Sequence, residues 1–271
     1  MTVWQEIADR VWVRRYDFFD QTIGVIGGEA GLLVIDTRSS HVQGHELLSE
    51  LRQLPGAARW MVNTHYHHDH CFGNAAFAGT EMWGHDRCPG RLLERGEAMR
   101  AGMIREIPEQ ADEWREVVIT PPTVTFAEQA AIDVGGREVE LRYLGRGHTD
   151  TDIVLLVPSV GVLFAGDLLE NGAAPFFGDG YPLDWPATLE ALLAMSSNSG
   201  AVVPGHGDVA DVAFARRSLE EIRAVADLGR QVAANELSIE DAVARAPYRP
   251  APARAAIERA AAQARGELDA G

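Results

Sequence analysis

Asn63 to His70 reads Asn-Thr-His-Tyr-His-His-Asp-His, four histidines and an aspartate within eight residues. A packed core has no use for that density of imidazole, whereas a metal site does, since neutral imidazole and carboxylate are ordinary donors to zinc, iron and manganese. Residues two apart at the end of a strand point the same way, so His65 and His67 can grip one ion. Where the backbone turns into the next helix, Asp69 and His70 can face a second ion about 3.5–4 Å from the first, and one segment then begins a binuclear centre. His68 points elsewhere. Taken alone, the segment also fits a chelating surface tract.

Three later segments favour the built site. Gly145-Arg146-Gly147-His148-Thr149, Ala165-Gly166-Asp167 and Pro204-Gly205-His206-Gly207-Asp208 each set a His or Asp at the tip of an expected strand, flanked by glycine. Glycine lets the backbone come close to a crowded centre. Any one of them alone reads as a turn. With the first cluster they supply five histidines and two aspartates, enough donors for two ions.

These donors need strands and helices to carry them. Residues 10–16, 22–28 and 31–36 read as strands, the last a continuous apolar run of the kind covered on both faces, with Gly27, Gly28 and Gly31 marking a hairpin. Ser39 or Ser40 caps a helix through Leu47, Leu48, Leu51 and Leu54, and Pro55-Gly56 ends it. Arg59 to Asn63 is a short strand that delivers the histidine cluster at its carboxyl end, where α/β proteins place their ligands. A short helix near 74–77 and a strand near 80–84 follow. Region 87–116 is charged and helix-prone, and reads either as a solvated helical pair or as a lid over a cleft. Strands return at 130–134, 137–144, 153–157, 162–165 and 201–203, with a Gly135-Gly136 hairpin and a helix opening at Asp184-Trp185-Pro186. Beyond residue 212 the chain is Ala-, Arg- and Glu-rich and helical in pattern, broken by Pro247, Pro250 and Pro252 into at least two pieces.

Composition narrows the function classes. The 271 residues, 46% hydrophobic and 24% charged, suit one globular domain with an appendage. With 40 acidic against 24 basic residues the formal charge is −16, which repels phosphate backbones and anionic lipid and argues against a nucleic-acid or membrane partner. The first ten residues carry charges where a signal peptide needs an apolar run, and Cys71 and Cys88 are expected to be reduced thiols, so a cytoplasmic location is expected.

The order His-x-His-x-Asp-His, then His, Asp and His, resembles the signature of the metallo-β-lactamase-fold superfamily, and the likeness runs over residues 22–208, including Ile35-Asp36 before the first helix. The resemblance implies an α/β fold, a four-layer αββα sandwich with the metals in a cleft at the sheet edges. Residues 1–212 would form the catalytic domain and 213–271 a C-terminal helical extension packed on it. It further implies that His65, His67 and His148 hold one metal, Asp69, His70 and His206 the second, and that Asp167 bridges them, a feature of the glyoxalase II-like branch rather than of β-lactamases with cysteine or serine there. Cys71-Phe72-Gly73-Asn74, where a Gly-Gly pair is common in that branch, and His148-Thr149-Asp150-Thr151-Asp152 depart from it and separate the chain from a glutathione thioester substrate.

The chemistry implied is hydrolysis. A hydroxide held between two divalent ions, zinc first and iron or manganese next, stays deprotonated near neutral pH because metal lowers the pKa of water from 15.7 to about 7. It would attack a thioester, ester, lactone or lactam carbonyl of a small molecule, with Asp69 orienting the nucleophile or shuttling a proton. Asp36 and Asp152 are candidates to accept the free N–H of ligand imidazoles, with local turn capping as the alternative, and Asp150 is a weaker one. Phe176, Phe177, Tyr181 and Trp185, on a Gly- and Pro-rich loop after Asp167, are candidates for an apolar pocket wall, with core packing as the alternative for Trp185. His41, His45 and His85 read as surface or helix residues. The competing readings are a mononuclear iron persulfide dioxygenase and, further off, a phosphodiesterase or nuclease. Monomer and homodimer both fit.

Overall fold

Two sheets face each other across one apolar layer, with helices on both outer faces, in a computed structural model that describes residues 4–196 and 199–268. Residues 1–3 and 269–271, the outer ends of the two expected segments, lie outside the described residues. The first sheet runs in sequence order: β1 (Gln5–Ala8), β2 (Val11–Arg15), β3 (Thr22–Gly27), β4 (Leu32–Ile35), β5 (Ala58–Val62), β6 (Glu81–His85) and β7 (Val124–Phe126). Its strands are antiparallel up to β4 and parallel from β4 onward. The second sheet has the order β12 (Ala201–Gly207), β11 (Val162–Asn171), β10 (Ile153–Val157), β9 (Glu138–Tyr143), β8 (Gln129–Asp133), and only its β11–β12 pair is parallel.

Side-chain alternation explains the layering. In β4, Leu33 and Ile35 enter the layer between the sheets while Leu32 and Val34 face α1 (His41–Glu50), so every position of the strand is buried, as its unbroken apolar run requires. On the second sheet Val154 and Leu163 face outward onto α5 (Trp185–Met195), α6 (Val212–Ala233) and α8 (Pro250–Ala264). This is the αββα arrangement expected from the resemblance. Helix α6 approaches α8 closely at Gly229, where a Cβ would stand 2.2 Å from that of Ala260.

Several expectations need correction. β1 was not foreseen, because the four-residue segment Gln-Glu-Ile-Ala at a sheet edge has no readable alternation. β11 and β12 continue to Asn171 and Gly207, beyond the expected ends at 165 and 203, since register shifts around Gly166 carry the pairing past the donors. Asp167 and His206 therefore sit within strands. The helical extension first breaks at Asn235, which is left-handed (φ 59°), and restarts where Ser238 caps α7 (Ile239–Arg245), while Pro250 opens α8. Prolines thus account for only one of the two breaks. His85 is not a surface or helix residue: it ends β6, is buried, and bonds the Ala127 carbonyl through Nε2 at 3.1 Å.

The 87–116 region is the expected helical pair, solvated on its charged outer face and seated on an apolar inner one. It forms α3 (Cys88–Glu106) and α4 (Ala111–Arg115), and Leu92, Met103 and Trp114 are buried against Tyr66, Cys71 and Phe72. The short helix that carries Asp69 and His70, α2 (His68–Cys71), thereby gains an apolar support. No helix among the described residues is long and apolar enough to cross a membrane.

Candidate metal centre

The centre lies where the carboxyl ends of β4 and β5 meet β11 and β12 at one edge of the sandwich. A crosslink ties the two sheets there, Thr22 Oγ1 donating to the Gly207 carbonyl at 2.5 Å. Asn63, the residue after β5, donates to the His70 carbonyl at 2.9 Å and so folds the segment back on itself. The donor atoms fall into two groups, each within 4.8 Å internally: His65, His67, His148 and Asp167 in one, and Asp69, His70 and His206 in the other.

Asp167 joins the groups. Its Oδ2 lies 3.6 Å from His65 Nε2 and 3.4 Å from His148 Nε2 in the first, and 3.3 Å from His70 Nε2 and 3.1 Å from His206 Nε2 in the second. Burial alone would push this carboxyl up, but the imidazoles of His206, His70 and His65 hold it well below the usual carboxylate range. Gly205 makes room for it: a Cβ at that position would stand 1.8 Å from Asp167 Oδ1.

Each histidine turns one ring nitrogen inward and commits the other to the protein. His70 Nδ1 bonds Asp36 Oδ2 at 2.8 Å, His148 Nδ1 bonds the Phe176 carbonyl at 3.1 Å, and His206 Nδ1 bonds the Phe19 carbonyl at 2.6 Å. His65 Nδ1 meets Thr64 Oγ1 at 3.0 Å, and that hydroxyl in turn donates to Asp36 Oδ2 at 2.8 Å. His67 is reversed, with Nε2 at 3.1 Å from Asp179 and Nδ1 facing His148 Nε2 at 2.8 Å. Such outward bonds fix tautomer and ring orientation, which a metal ligand requires. Inside the centre, His65 Nε2 and Asp167 Oδ1 are buried without a hydrogen-bond partner among the described residues, a cost that bound cations would remove. The nitrogen and oxygen donors, their spacing and these orphaned atoms fit divalent metal.

The candidates around the centre separate clearly. Asp36 reaches His70 directly and His65 through Thr64, and its backbone is left-handed (φ 64°), which aims the carboxylate back at residue 64. Among the described residues Asp152 has no hydrogen bond to an imidazole. It accepts from the Thr149 amide at 2.8 Å and hydroxyl at 2.6 Å, bracing the loop that bears His148, and burial pushes it up to about 8. Asp150 accepts two bonds from Arg91, at 3.0 and 2.7 Å. Of the four aromatics only Phe176 faces the cleft, 58% exposed with its ring centroid 6.1 Å from that of His67. Phe177 and Trp185 are core residues packed on each other, and Tyr181 is buried under Arg146. An apolar loop beside a ligand therefore supplies one wall residue and three packing residues.

Three contributors escaped the sequence reading. Asp179 sits six residues before α5 in no motif and becomes visible only through its contact with His67. The Phe19 carbonyl belongs to a left-handed residue (φ 55°) in the β2–β3 connection, a backbone feature that residue types do not reveal. Glu170 accepts the Phe176 amide at 3.0 Å and so holds the wall loop, and burial followed by repulsion from Asp167 pushes it up to about 7. Its place three residues after Asp167 was the available signal.

His68 turns away from the centre, its ring 5.4 Å from Phe19 and 6.1 Å from Trp114, and burial lowers its pKa to about 4. A folded pKa below the unfolded value of about 6.5 means that the unfolded chain takes the proton first, so stability present above 6.5 is lost as pH falls toward 4, by about 2 kcal/mol at pH 5. His68→Phe removes this loss. Urea unfolding of chelator-treated protein at pH 5 and 7.5 should show a smaller pH dependence in the variant, and equal dependence in both would contradict the assignment.

Comparison with known proteins agrees with this geometry. A model of the metallo-beta-lactamase superfamily matches residues 16–206. A type 2 metallo-beta-lactamase of Bacillus sp. (strain 170) is 26% identical over 204 residues, 73% of this chain and 71% of that protein. One of Bacteroides fragilis is 32% identical over 97 residues, covering 35% of this chain and 39% of that protein, less than half of its length. Among solved structures, a metallo-beta-lactamase from Pontibacter korlensis aligns over 82% of this chain and 99% of its own, with TM-score 0.64 and 22% identity. One from Hirschia baltica aligns over 81% and 96%, with TM-score 0.66 and 18% identity. These structural likenesses speak for the fold, and the family match for descent. The chain belongs to the metallo-β-lactamase superfamily of metal-dependent hydrolases.

Proposed function

We propose that this protein is a binuclear hydrolase that cleaves a thioester, ester, lactone or lactam bond of a small molecule, with zinc as the first candidate metal. The observation that carries the reading is the position of Asp167 Oδ2, within 3.1 to 3.6 Å of two imidazole nitrogens from each donor group. His65, His67 and His148 would hold one ion, Asp69, His70 and His206 the other, and Asp167 both, which supports the bridging-aspartate, glyoxalase II-like branch over β-lactamase proper. When bound, the ions supply Lewis acidity at the substrate oxygen and bring the pKa of a water from 15.7 to about 7.

The chain's own residues do the rest. Asp69 Oδ2 lies 3.3 Å from His206 Nε2 and 3.5 Å from His70 Nε2, while Oδ1 stands 3.6 Å from His68 Nδ1, beyond hydrogen-bond distance, and would orient a nucleophile or pass a proton to a leaving group. Phe176 and the 36% exposed Phe19 stand beside His67 and His68 and give the cleft apolar walls for the acyl part of a substrate. The charge of −16 supports a small-molecule substrate over nucleic acid. Residues 1–212 and 213–271 act as one catalytic domain with a helical extension, as a monomer or homodimer. The free, buried Cys71 and Cys88 support a cytoplasmic setting.

Metal analysis of cleanly purified protein, combined with a panel of thioesters, lactones, lactams and phosphodiesters, tests the proposal. Two equivalents of metal and carbonyl hydrolysis abolished by Asp69→Ala are expected. One iron with oxygen uptake on a persulfide, or cleavage confined to phosphodiesters, would overturn it.

A further inference from the structure

His67 differs from the other four histidines of the centre in which nitrogen it offers. His65, His70, His148 and His206 turn Nε2 inward, whereas His67 turns in Nδ1, leaving Nε2 on the outside. What faces that outer nitrogen is a carboxylate. Both oxygens of Asp179, on the loop between β11 and α5, lie 3.1 Å from His67 Nε2. The Tyr66 hydroxyl donates to the same carboxylate, and Arg95 Nη1 stands 3.6 Å from it. The carboxylate is 19% exposed, so it is not a solvated surface acid, and its contacts come from two separate parts of the chain, the segment between β5 and α2 and helix α3.

Arg95 extends a pattern along the helical insertion. Arg87, Arg91 and Arg95 recur every four residues at the start and along one face of α3, and each reaches a loop of the centre. Arg87 Nη1 bonds the Asp150 carbonyl at 3.0 Å, Arg91 bonds the Asp150 carboxylate at 3.0 and 2.7 Å, and Arg95 pairs with Asp179. Asp150 belongs to the loop that carries His148, so the helix braces the surroundings of two ligands of the same donor group.

We propose that Asp179 is the positioning residue for His67: it holds the Nε2–H tautomer and so presents the Nδ1 lone pair to the first donor group, while α3 fixes the carboxylate through Arg95. The proposal rests on the reading that His65, His67, His148 and Asp167 hold a metal. A carboxylate behind a ligand imidazole raises its basicity as well as orienting it, and loss of such a partner weakens metal binding by about 10- to 100-fold.

Asp179→Asn is nearly isosteric and gives a readout that a packing role would not move. With the Tyr66 hydroxyl donating to the amide oxygen, that oxygen and the amide nitrogen replace two carboxylate oxygens that both lie 3.1 Å from His67 Nε2, so the variant offers Nε2 a donor as readily as an acceptor and loosens the hold on the Nε2–H tautomer. Long-range ¹H–¹⁵N spectra of the metal-free protein at alkaline pH should show His67 as Nε2–H in the wild type and a mixture with Nδ1–H, which cannot ligate through Nδ1, in Asp179→Asn and Asp179→Ala. Zinc titration against a chromophoric chelator should show one of two equivalents weakened by about 10- to 100-fold and the other unchanged. A wild-type His67 protonated on Nδ1, or variants with unchanged tautomer and affinities, would overturn the proposal. A wild type that binds no metal but shows the expected tautomers would instead sink the metal-centre reading and leave the role of Asp179 in orienting His67 standing.

Discussion

Replacing Asp167 by alanine is expected to lower kcat/KM by about a thousandfold or more and to leave the protein with fewer than two equivalents of metal. Among the described residues the carboxylate is the one group within 3.6 Å of imidazole nitrogens from both donor groups, so in the proposed centre its loss would remove a ligand from each ion together with the restraint on their separation. Several kcal/mol of transition-state charge stabilisation depend on both ions being in place, and each 1.36 kcal/mol is a factor of ten in rate. Asp167→Asn sharpens the test, because it keeps shape and volume while turning one oxygen into a donor that no nitrogen in the cluster can accept while ligated. The checks are metal content by mass spectrometry and initial rates on the substrate that wild type hydrolyses. An Asp167→Asn enzyme with two metals and rates within about threefold of wild type, well under the tenfold that 1.36 kcal/mol represents, would remove the bridging role.

The parts of this site that were legible in sequence share a property: the residue type alone announces them. Histidine clusters are rare in cores, and the glycines beside His148, Asp167 and His206 advertise close approach, which Gly205 illustrates by leaving room for Asp167 Oδ1. β4 and β10 were legible because burial on both faces forces continuous apolar runs. Asp36 was legible because it ends such a strand just before a helix. What stayed hidden depends on conformation or on distant chain segments. The Phe19 carbonyl reaches His206 only because residue 19 is left-handed, and Asp179 meets His67 across 112 positions of sequence. The aromatic loop shows the opposite error. Phe177 looked like pocket wall and Trp185 like either wall or core, yet both cover the outer face of the second sheet, a demand on apolar surface that local composition cannot separate from a demand by a ligand.

Substitution of Asp36 should weaken both metal equivalents at once, unlike any other change outside the donor set. Its Oδ1 accepts the Thr64 amide at 2.8 Å, and its Oδ2 accepts both the Thr64 hydroxyl at 2.8 Å and His70 Nδ1 at 2.8 Å. Thr64 hands the same bond on to His65, so one carboxylate sets the tautomers of a histidine in each donor group. All three direct partners are donors. In Asp36→Asn the amide nitrogen must face at least one of them in either orientation, leaving a buried donor unpaired at a cost of about 1–3 kcal/mol. Asparagine tolerates the left-handed backbone at this position, so the change isolates hydrogen bonding and charge from strain. Asp36→Ala removes the acceptor altogether and is expected to cost about 3–5 kcal/mol in urea unfolding of the metal-free protein, the range for breaking a buried, charge-assisted pair. Both variants should bind both zinc equivalents about 10- to 100-fold more weakly. Thr64→Val gives the internal control, since it interrupts only the branch to His65 and should weaken one equivalent while leaving the other intact. If Asp36→Ala weakens a single equivalent, the branch through Thr64 carries no force and the two halves of the centre are positioned independently. If it weakens both and Thr64→Val weakens one, then the strand end at residue 36 is the point from which the fold orients both halves of the centre.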